Sequence, residues 1–165
     1  MFSPDIIALA QKVISAYTAE KCKIVTAESC TGGLIAGALT NIPGSSAVLE
    51  RGFVTYSNDA KIEVLGVDFL ALEQCGAVSA QVATQMVQGA LEFSRADVAI
   101  SVTGIAGPDG GSAEKPVGLV YFGLATRDGV AMHYRCEFSG NRNDVRTQSV
   151  IEALKLLLTI SGDED

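Results

Sequence analysis

The feature that most restricts how this chain can fold is an alternation of period. Short β-branched runs recur between stretches of helical spacing, and two of those runs break directly into glycine-bearing turns. Lys23-Ile24-Val25-Thr26-Ala27 is the first, and it meets Glu28-Ser29-Cys30-Thr31-Gly32-Gly33. Asp97 to Val102, predicted to be a buried strand, is the second, and it meets the glycine-rich segment Thr103 to Ser112. Around them, Ile6, Ile7, Ala10, Val13, Ile14 and Tyr17 predict a helix from about Ser3 to Tyr17, with Ser3 as N-cap and Pro4 at its first position. Leu34 to Leu39 is apolar and helix-forming. Arg51 to Tyr56 reads as a strand, followed by a short helix capped by Ser57 or Asn58 and carrying Lys61 and Leu65. Ser79 opens a helix with the stripe Val82, Ala83, Met86, Val87, Ala90 and Leu91. Gly118 to Ala125 and Val130 to Phe138 flank Arg127-Asp128-Gly129, a hairpin signal. A last helix is predicted from about Asp144 to Ile160. Strands alternating with helices, with one late hairpin, predict an α/β fold: three layers, a mixed central sheet flanked by helices on both faces, in a single domain spanning residues 1–165.

Composition narrows the function classes. The chain is 48% hydrophobic and 19% charged, which is globular rather than disordered. Twelve basic against 19 acidic residues give a net charge of −7, so no footprint for nucleic acid is present, although one phosphate can still be held locally. Cys22, Cys30, Cys75 and Cys136 have no metal-ligand spacing and His133 is the sole histidine, so neither a metal nor a cofactor is expected. Reduced thiols suit a cytoplasmic protein. Met1 to Lys12 lacks a basic start followed by an apolar run, and no stretch has membrane-spanning length, so no secretory signal and no membrane partner are expected. Gly162-Asp163-Glu164-Asp165 reads as a frayed, solvated end. The high apolar fraction of so short a chain hints at a homodimer or higher homo-oligomer.

Ser29 stands where a strand should turn into a helix. A hydroxyl there is exposed above the sheet edge, and the following N–H groups can hold an oxyanion, with Thr31 and Gly32 the expected donors and Gly33 close behind. From spacing alone, Ser29 or Thr31 as a simple helix cap is the more economical reading. Cys30 is a rival nucleophile but lacks a histidine partner, and it reads as a small core residue. Lys61 can serve as a base only if its amine is desolvated or placed beside another cation; most lysines are solvated. Tyr56 either orients Lys61 or the nucleophile or simply ends a strand, and Asn58 follows it closely. Thr103, Gly104, Gly107, Gly110 and Gly111 belong to a long loop after a buried strand, where α/β proteins place ligand sites. Ser45 and Ser46, after Pro43-Gly44, offer donors to a phosphate or form a plain turn. Arg142 and Arg146 are either anion partners or part of a solvated helix face.

Five ordered blocks become specific together: Thr26-Ala27-Glu28-Ser29-Cys30-Thr31-Gly32-Gly33, Gly52-Phe53-Val54-Thr55-Tyr56-Ser57-Asn58 with Lys61, Gly76-Ala77-Val78-Ser79, Thr103 to Gly111, and Lys115-Pro116-Val117-Gly118. They resemble the CinA C-terminal domain family, whose stand-alone members include nicotinamide mononucleotide deamidases. The resemblance implies a Ser/Lys amidohydrolase that converts nicotinamide mononucleotide and water to nicotinate mononucleotide and ammonia. It puts the nucleophile on Ser29 and the base on Lys61, and sets Tyr56, Thr103 and the glycine loop on the pocket wall. Three rival readings stay open on the sequence: a non-catalytic nucleotide-binding module, a metal-dependent phosphohydrolase of nucleotide diphosphates, and a structural partner protein. For the second, Glu28, Glu50 and Asp109 are widely scattered.

Overall fold

The computed structural model describes residues 1–129 and 131–161; Val130 and the acidic end 162–165, both named above, lie outside the described residues. The elements run α1 (Pro4–Glu20), β1 (Ile24–Glu28), α2 (Leu34–Thr40), β2 (Leu49–Val54), α3 (Asn58–Leu65), α4 (Phe69–Cys75), α5 (Ala80–Glu92), β3 (Val98–Gly104), β4 (Leu119–Thr126), β5 (Ala131–Glu137) and α6 (Arg142–Ile160). The five strands form one sheet in the order β2-β1-β3-β4-β5. β1 pairs in parallel with both β2 and β3, whereas β3–β4 and β4–β5 are antiparallel. The three-layer α/β/α arrangement with a mixed sheet is therefore the observed one.

Strand parity divides the core. Ile24 of β1 and Val98, Ile100 and Val102 of β3 join the apolar cluster that contains residues of α1, α2 and α6. Val25, Ala27 and Ala99 point to the opposite face, into a cluster with residues of α3, α4 and α5. Both faces of β1 are buried, as expected for a strand with parallel neighbours on each side. All four cysteines are free thiols.

Several elements differ from the sequence reading: β2 runs from Leu49 to Val54 rather than from Arg51 to Tyr56, and the others differ for local reasons. α1 continues three residues past Tyr17 and stops at Lys21, which takes a left-handed conformation; Thr18, Ala19 and Glu20 are exposed and carry no apolar signal. α6 begins at Arg142 because Asn141 is the cap and Asp144 is the third residue of a reciprocal capping box, not the start. α4 has no clear stripe to read: Ala71 and Leu72 are buried while Phe69 and Leu70 face solvent. The glycine loop also starts later, since Thr103 and Gly104 remain in β3, paired with Tyr121 and Val120.

Candidate active site

Ser29 follows β1 directly, and its N–H still donates to the Val102 carbonyl at 3.0 Å, so the sheet fixes the backbone of this residue. The alternation of β1 continued by one residue sends Glu28 and Ser29 to opposite faces. Glu28 turns toward α2 and is fully buried. Its carboxylate accepts from the Thr31 hydroxyl at 2.5 Å and from the N–H groups of Gly33 at 3.1 Å, Ile35 at 3.0 Å and Ala36 at 2.8 Å. These are the donors a helix start leaves without intrahelical partners, and a carboxylate there also answers the helix dipole. The role expected of Ser29 or Thr31 as a cap thus falls to Glu28.

This arrangement corrects the expected oxyanion donors. Gly32 N–H donates to the Ser29 carbonyl at 3.0 Å, and Gly33 N–H is held by Glu28. Both glycines have positive φ, 61° and 99°, so they serve the bend itself. From residue 29 to 36, only the N–H groups of Cys30 and Thr31 donate to no other residue among the described residues.

Ser29 projects to the face that carries α3. There Lys61 Nζ lies 2.9 Å from Ser29 Oγ and donates to the Thr55 carbonyl at 2.9 Å. Ser57 caps α3 through a 3.0 Å bond from Ala60 N–H, which sets the helix so that Lys61 points inward. Lys61 is 1% exposed, and burial lowers its pKa from the ordinary lysine value, with only the neighbouring Cys30 thiol opposing the shift. That opposition needs a thiolate, and burial pushes the Cys30 pKa up to about 12, so near neutral pH the thiol is uncharged. Cys30 is accordingly neither a counter-ion nor an activated nucleophile.

A cavity of about 260 Å³ opens over this pair at the C-terminal ends of β1 and β3, which are parallel neighbours in the sheet. Ser29, Lys61, Tyr56, Asn58, Thr103, Gly104, Gly107, Gly110 and Arg142 line it together, as do Cys30, Ala77, Val78 and Asp109. Thr103 Oγ1 donates to the Ala77 carbonyl at 2.9 Å and so ties the segment before α5 to the end of β3. Tyr56 is 61% exposed, and its hydroxyl accepts from Arg142 Nη2 at 2.8 Å, not from Lys61 or Ser29. Arg142 Nη1 donates to the Gly107 carbonyl at 2.9 Å, so the guanidinium bridges the two rims of the cavity.

Other expected residues lie off the cavity wall. The Thr31 hydroxyl is turned under α2 toward Glu28. Ser45 and Ser46 form a single 3-10 turn beside the start of β1, where Ile24 N–H donates to the Val48 carbonyl. α2 carries the chain back along the sheet, so that turn sits at the end opposite Ser29. Gly111 packs against Val117, whose N would stand 2.8 Å from an added Cβ. No sequence signal marks Glu28 as a support of the site, and Arg146, expected as an anion partner or a solvated helix residue, meets main-chain carbonyls instead. Arg146 reaches from α6 to the carbonyls of Cys30, at 3.2 Å, and Thr31, at 3.1 Å. Among the described residues no helix is long and apolar enough to cross a membrane.

Comparison with known proteins agrees with this fold. The model of the CinA C-terminal domain matches residues 6–160. The chain is 55% identical to the nicotinamide-nucleotide amidohydrolase PncC of Enterobacter agglomerans over 91% of its own length and 92% of that protein. It is 50% identical to the protein of the same name from Escherichia coli K12, over 95% of each chain. The crystal structure of the competence/damage inducible protein CihA from Agrobacterium tumefaciens superposes with a TM-score of 0.95 at 52% identity, covering 97% of this chain and 98% of that one. On the match along 6–160 and on these relatives, the chain belongs to the CinA C-terminal domain family.

Proposed function

We propose that this protein is a serine amidohydrolase that hydrolyses the carboxamide of nicotinamide mononucleotide, releasing nicotinate mononucleotide and ammonia. The observation that carries the chemistry is the buried Lys61 amine, 2.9 Å from Ser29 Oγ and 2.9 Å from the Thr55 carbonyl. A carbonyl oxygen can only accept, so one N–H of the amine goes to Thr55. In the neutral amine this leaves the lone pair free for the Ser29 hydroxyl proton. Burial, by disfavouring the ammonium, shifts the amine toward that neutral form.

Ser29 Oγ attacks the carboxamide carbon as Lys61 takes the hydroxyl proton. Negative charge develops on the carbonyl oxygen beside Cys30 N–H, the unengaged donor of the turn whose residue lines the cavity. Loss of such a donor typically costs about 3 kcal/mol. The tetrahedral intermediate collapses, the C–N bond breaks, and Lys61 returns its proton to the departing nitrogen. Lys61 then deprotonates a water that attacks the Ser29 ester; the bond from the acyl carbon to Ser29 Oγ breaks, Lys61 returns the proton to Oγ, and nicotinate mononucleotide leaves.

In this reading Asn58, Gly104, Gly107 and Gly110 shape the wall, and Arg142 supplies the rim cation for the substrate's phosphate. It carries with it a small-molecule substrate, no nucleic-acid or membrane partner, self-association into a homodimer or higher oligomer, and action in the cytoplasm. The test is ammonia release from a panel of pyridine nucleotides and amides, with chelator present throughout. Nicotinamide mononucleotide should be the best substrate, and Ser29→Ala and Lys61→Ala should each remain folded and lose at least about 10⁴-fold in rate. Substrate binding without ammonia release would reduce the protein to a nucleotide-binding module.

A further inference from the structure

We infer that Lys115 is a positioning residue for the substrate-binding wall: it latches the glycine loop to the C-terminal end of α4. The inference rests on the amidohydrolase reading above, and it concerns a side chain that does not line the cavity.

Residues 105–118 form a closed excursion between β3 and β4. At its base Gly118 N–H donates to the Ile105 carbonyl at 2.8 Å, and Ile105 N–H donates to the Leu119 carbonyl at 2.9 Å. The excursion is stiff within itself. Ser112 N–H donates to the Lys115 carbonyl at 2.8 Å and Lys115 N–H donates to Ser112 Oγ at 3.0 Å, which closes a tight turn. An added Cβ at Gly107 would stand 2.6 Å from Val117 Cγ1, and one at Gly111 would stand 2.8 Å from Val117 N, so the two limbs are pressed together. Ala106, Gly107, Asp109 and Gly110 of this body line the cavity.

Its attachment to the rest of the protein is slight. Past the base, two hydrogen bonds alone tie residues 106–117 to distant parts of the chain, among the described residues. Arg142 Nη1 donates to the Gly107 carbonyl at 2.9 Å, and Lys115 Nζ donates to the Cys75 carbonyl. Arg142 lines the cavity and is the cation given above to the substrate's phosphate, so a bound substrate competes for the first bond. The second bond lies off the cavity wall and is left intact. Cys75 is the last residue of α4, and its carbonyl is one that a helix end leaves without an intrahelical partner. Gly76 follows at φ 73° and leads into Ala77 and Val78, which also line the cavity. A Cβ at Gly76 would stand 3.1 Å from Lys115 Nζ, so the bare backbone there leaves room for the amine. Lys115 thereby joins the loop to the segment bearing Ala77 and Val78, as Thr103 joins β3 to Ala77.

The test uses the full chain with Lys115→Met and Lys115→Arg, assayed on nicotinamide mononucleotide and on nicotinamide riboside, which lacks the phosphate. Fixing the backbone of one residue costs about 5- to 30-fold in an equilibrium constant, so a loop that must be ordered at each binding event should raise KM roughly 10-fold in Lys115→Met. The rise should be the same for both substrates, with kcat within about threefold. Lys115→Arg should recover part of the affinity. Ser29 labelling by a small fluorophosphonate needs Ser29 and Lys61 but not the loop, and it should proceed within about twofold of the parent rate. Cleavage between residues 106 and 117 by a nonspecific protease should be roughly 10-fold faster in Lys115→Met. A KM rise confined to the phosphorylated substrate would make Lys115 a phosphate ligand and overturn the proposal. Labelling slowed in step with the loss of activity would reduce Lys115 to a support of the whole fold, and KM and cleavage both within about twofold of the parent would remove the latch altogether. If the parent releases no ammonia from either compound, the substrate reading fails by itself, and the cleavage and labelling rates decide the role of Lys115. If Lys115→Met does not fold, Lys115→Gln, whose shorter side chain falls short of the Cys75 carbonyl, carries the test.

Discussion

Gly89, in the middle of α5, gives the sharpest test of how the pair is held together. On helix propensity alone, Gly89→Ala should stabilise an interior helical position by roughly 1 kcal/mol. The packing predicts the reverse. A Cβ at Gly89 would stand 1.8 Å from the carbonyl oxygen of Leu65, 2.7 Å from its carbonyl carbon and 3.0 Å from its Cα. All three are backbone atoms at the C-terminal end of α3, so no side chain can rotate away. The helices must part by about 1.2 Å, the difference between 1.8 Å and a closest approach of 3.0 Å. Leu65 lies one turn beyond Lys61 on the same helix, so a shift of α3 by that amount takes Nζ out of its 2.9 Å contact with Ser29. Overpacking of this kind costs about 1–3 kcal/mol, which exceeds the propensity gain. A misplacement of about 1 Å costs on the order of 100-fold in rate, or about 2.7 kcal/mol of barrier. Gly89→Ala should therefore melt at lower temperature and release ammonia about 100-fold more slowly, while Gln88→Ala, exposed on the same helix, should change neither. A Gly89→Ala protein as stable and as active as the parent would refute the idea that α3 is seated through this contact.

Three further outcomes follow from the site. Activity should rise with pH to a plateau, with a midpoint below that of an ordinary lysine, because burial depresses the Lys61 pKa and the neutral amine is the working form. Global stability should rise across the same interval, since the unfolded chain binds a proton there that the native amine does not; Lys61→Met should flatten both curves, and a pH-independent rate would exclude a lysine base. Glu28→Gln replaces an acceptor of four bonds with an amide that presents N–H to N–H; urea titration should show a loss of about 2–4 kcal/mol, and an unchanged midpoint would contradict the role of Glu28 under α2. Tyr56→Phe removes one rim bond to Arg142 and no bond to Ser29 or Lys61, so kcat should stay within about threefold; a loss above about 100-fold would restore Tyr56 as a catalytic group.

Much of this architecture was readable because its signals are local. The β-branched runs, the Asp-Gly turn and the stripe of α5 each lie within a dozen residues and needed no tertiary information. The juxtaposition of Ser29 and Lys61 is different, since 32 residues separate them. It depends on the parallel pairing of β1 with β2, which sets Thr55 beside Glu28 and starts α3 at the same end of the sheet. Family resemblance brought these residues together; spacing could not. The turn donors were misjudged because a helix start looks open to a ligand until every N–H is accounted for. The relevant acceptor, Glu28, sits beside the nucleophile in sequence and entered the reading only as one of three scattered carboxylates. Ser45 and Ser46 were misplaced because a Pro-Gly-Ser-Ser turn carries no mark of which end of the sheet it occupies. Arg146 resembled a solvated helix residue, since its contacts are with carbonyls more than a hundred positions away.

The strand leading to the nucleophile is buried on both sides, so burial alone does little to prevent it from slipping by one position against its neighbours. A slip would exchange the two side chains at its end, delivering an acid to the reaction chamber and hiding the hydroxyl under a helix. Glu28 opposes that error, because only one alignment gives its charge the cluster of donors it needs, and any other strands an ionised group in the core. The residue next to the nucleophile thus favours the single alignment in which its carboxylate is fully bonded.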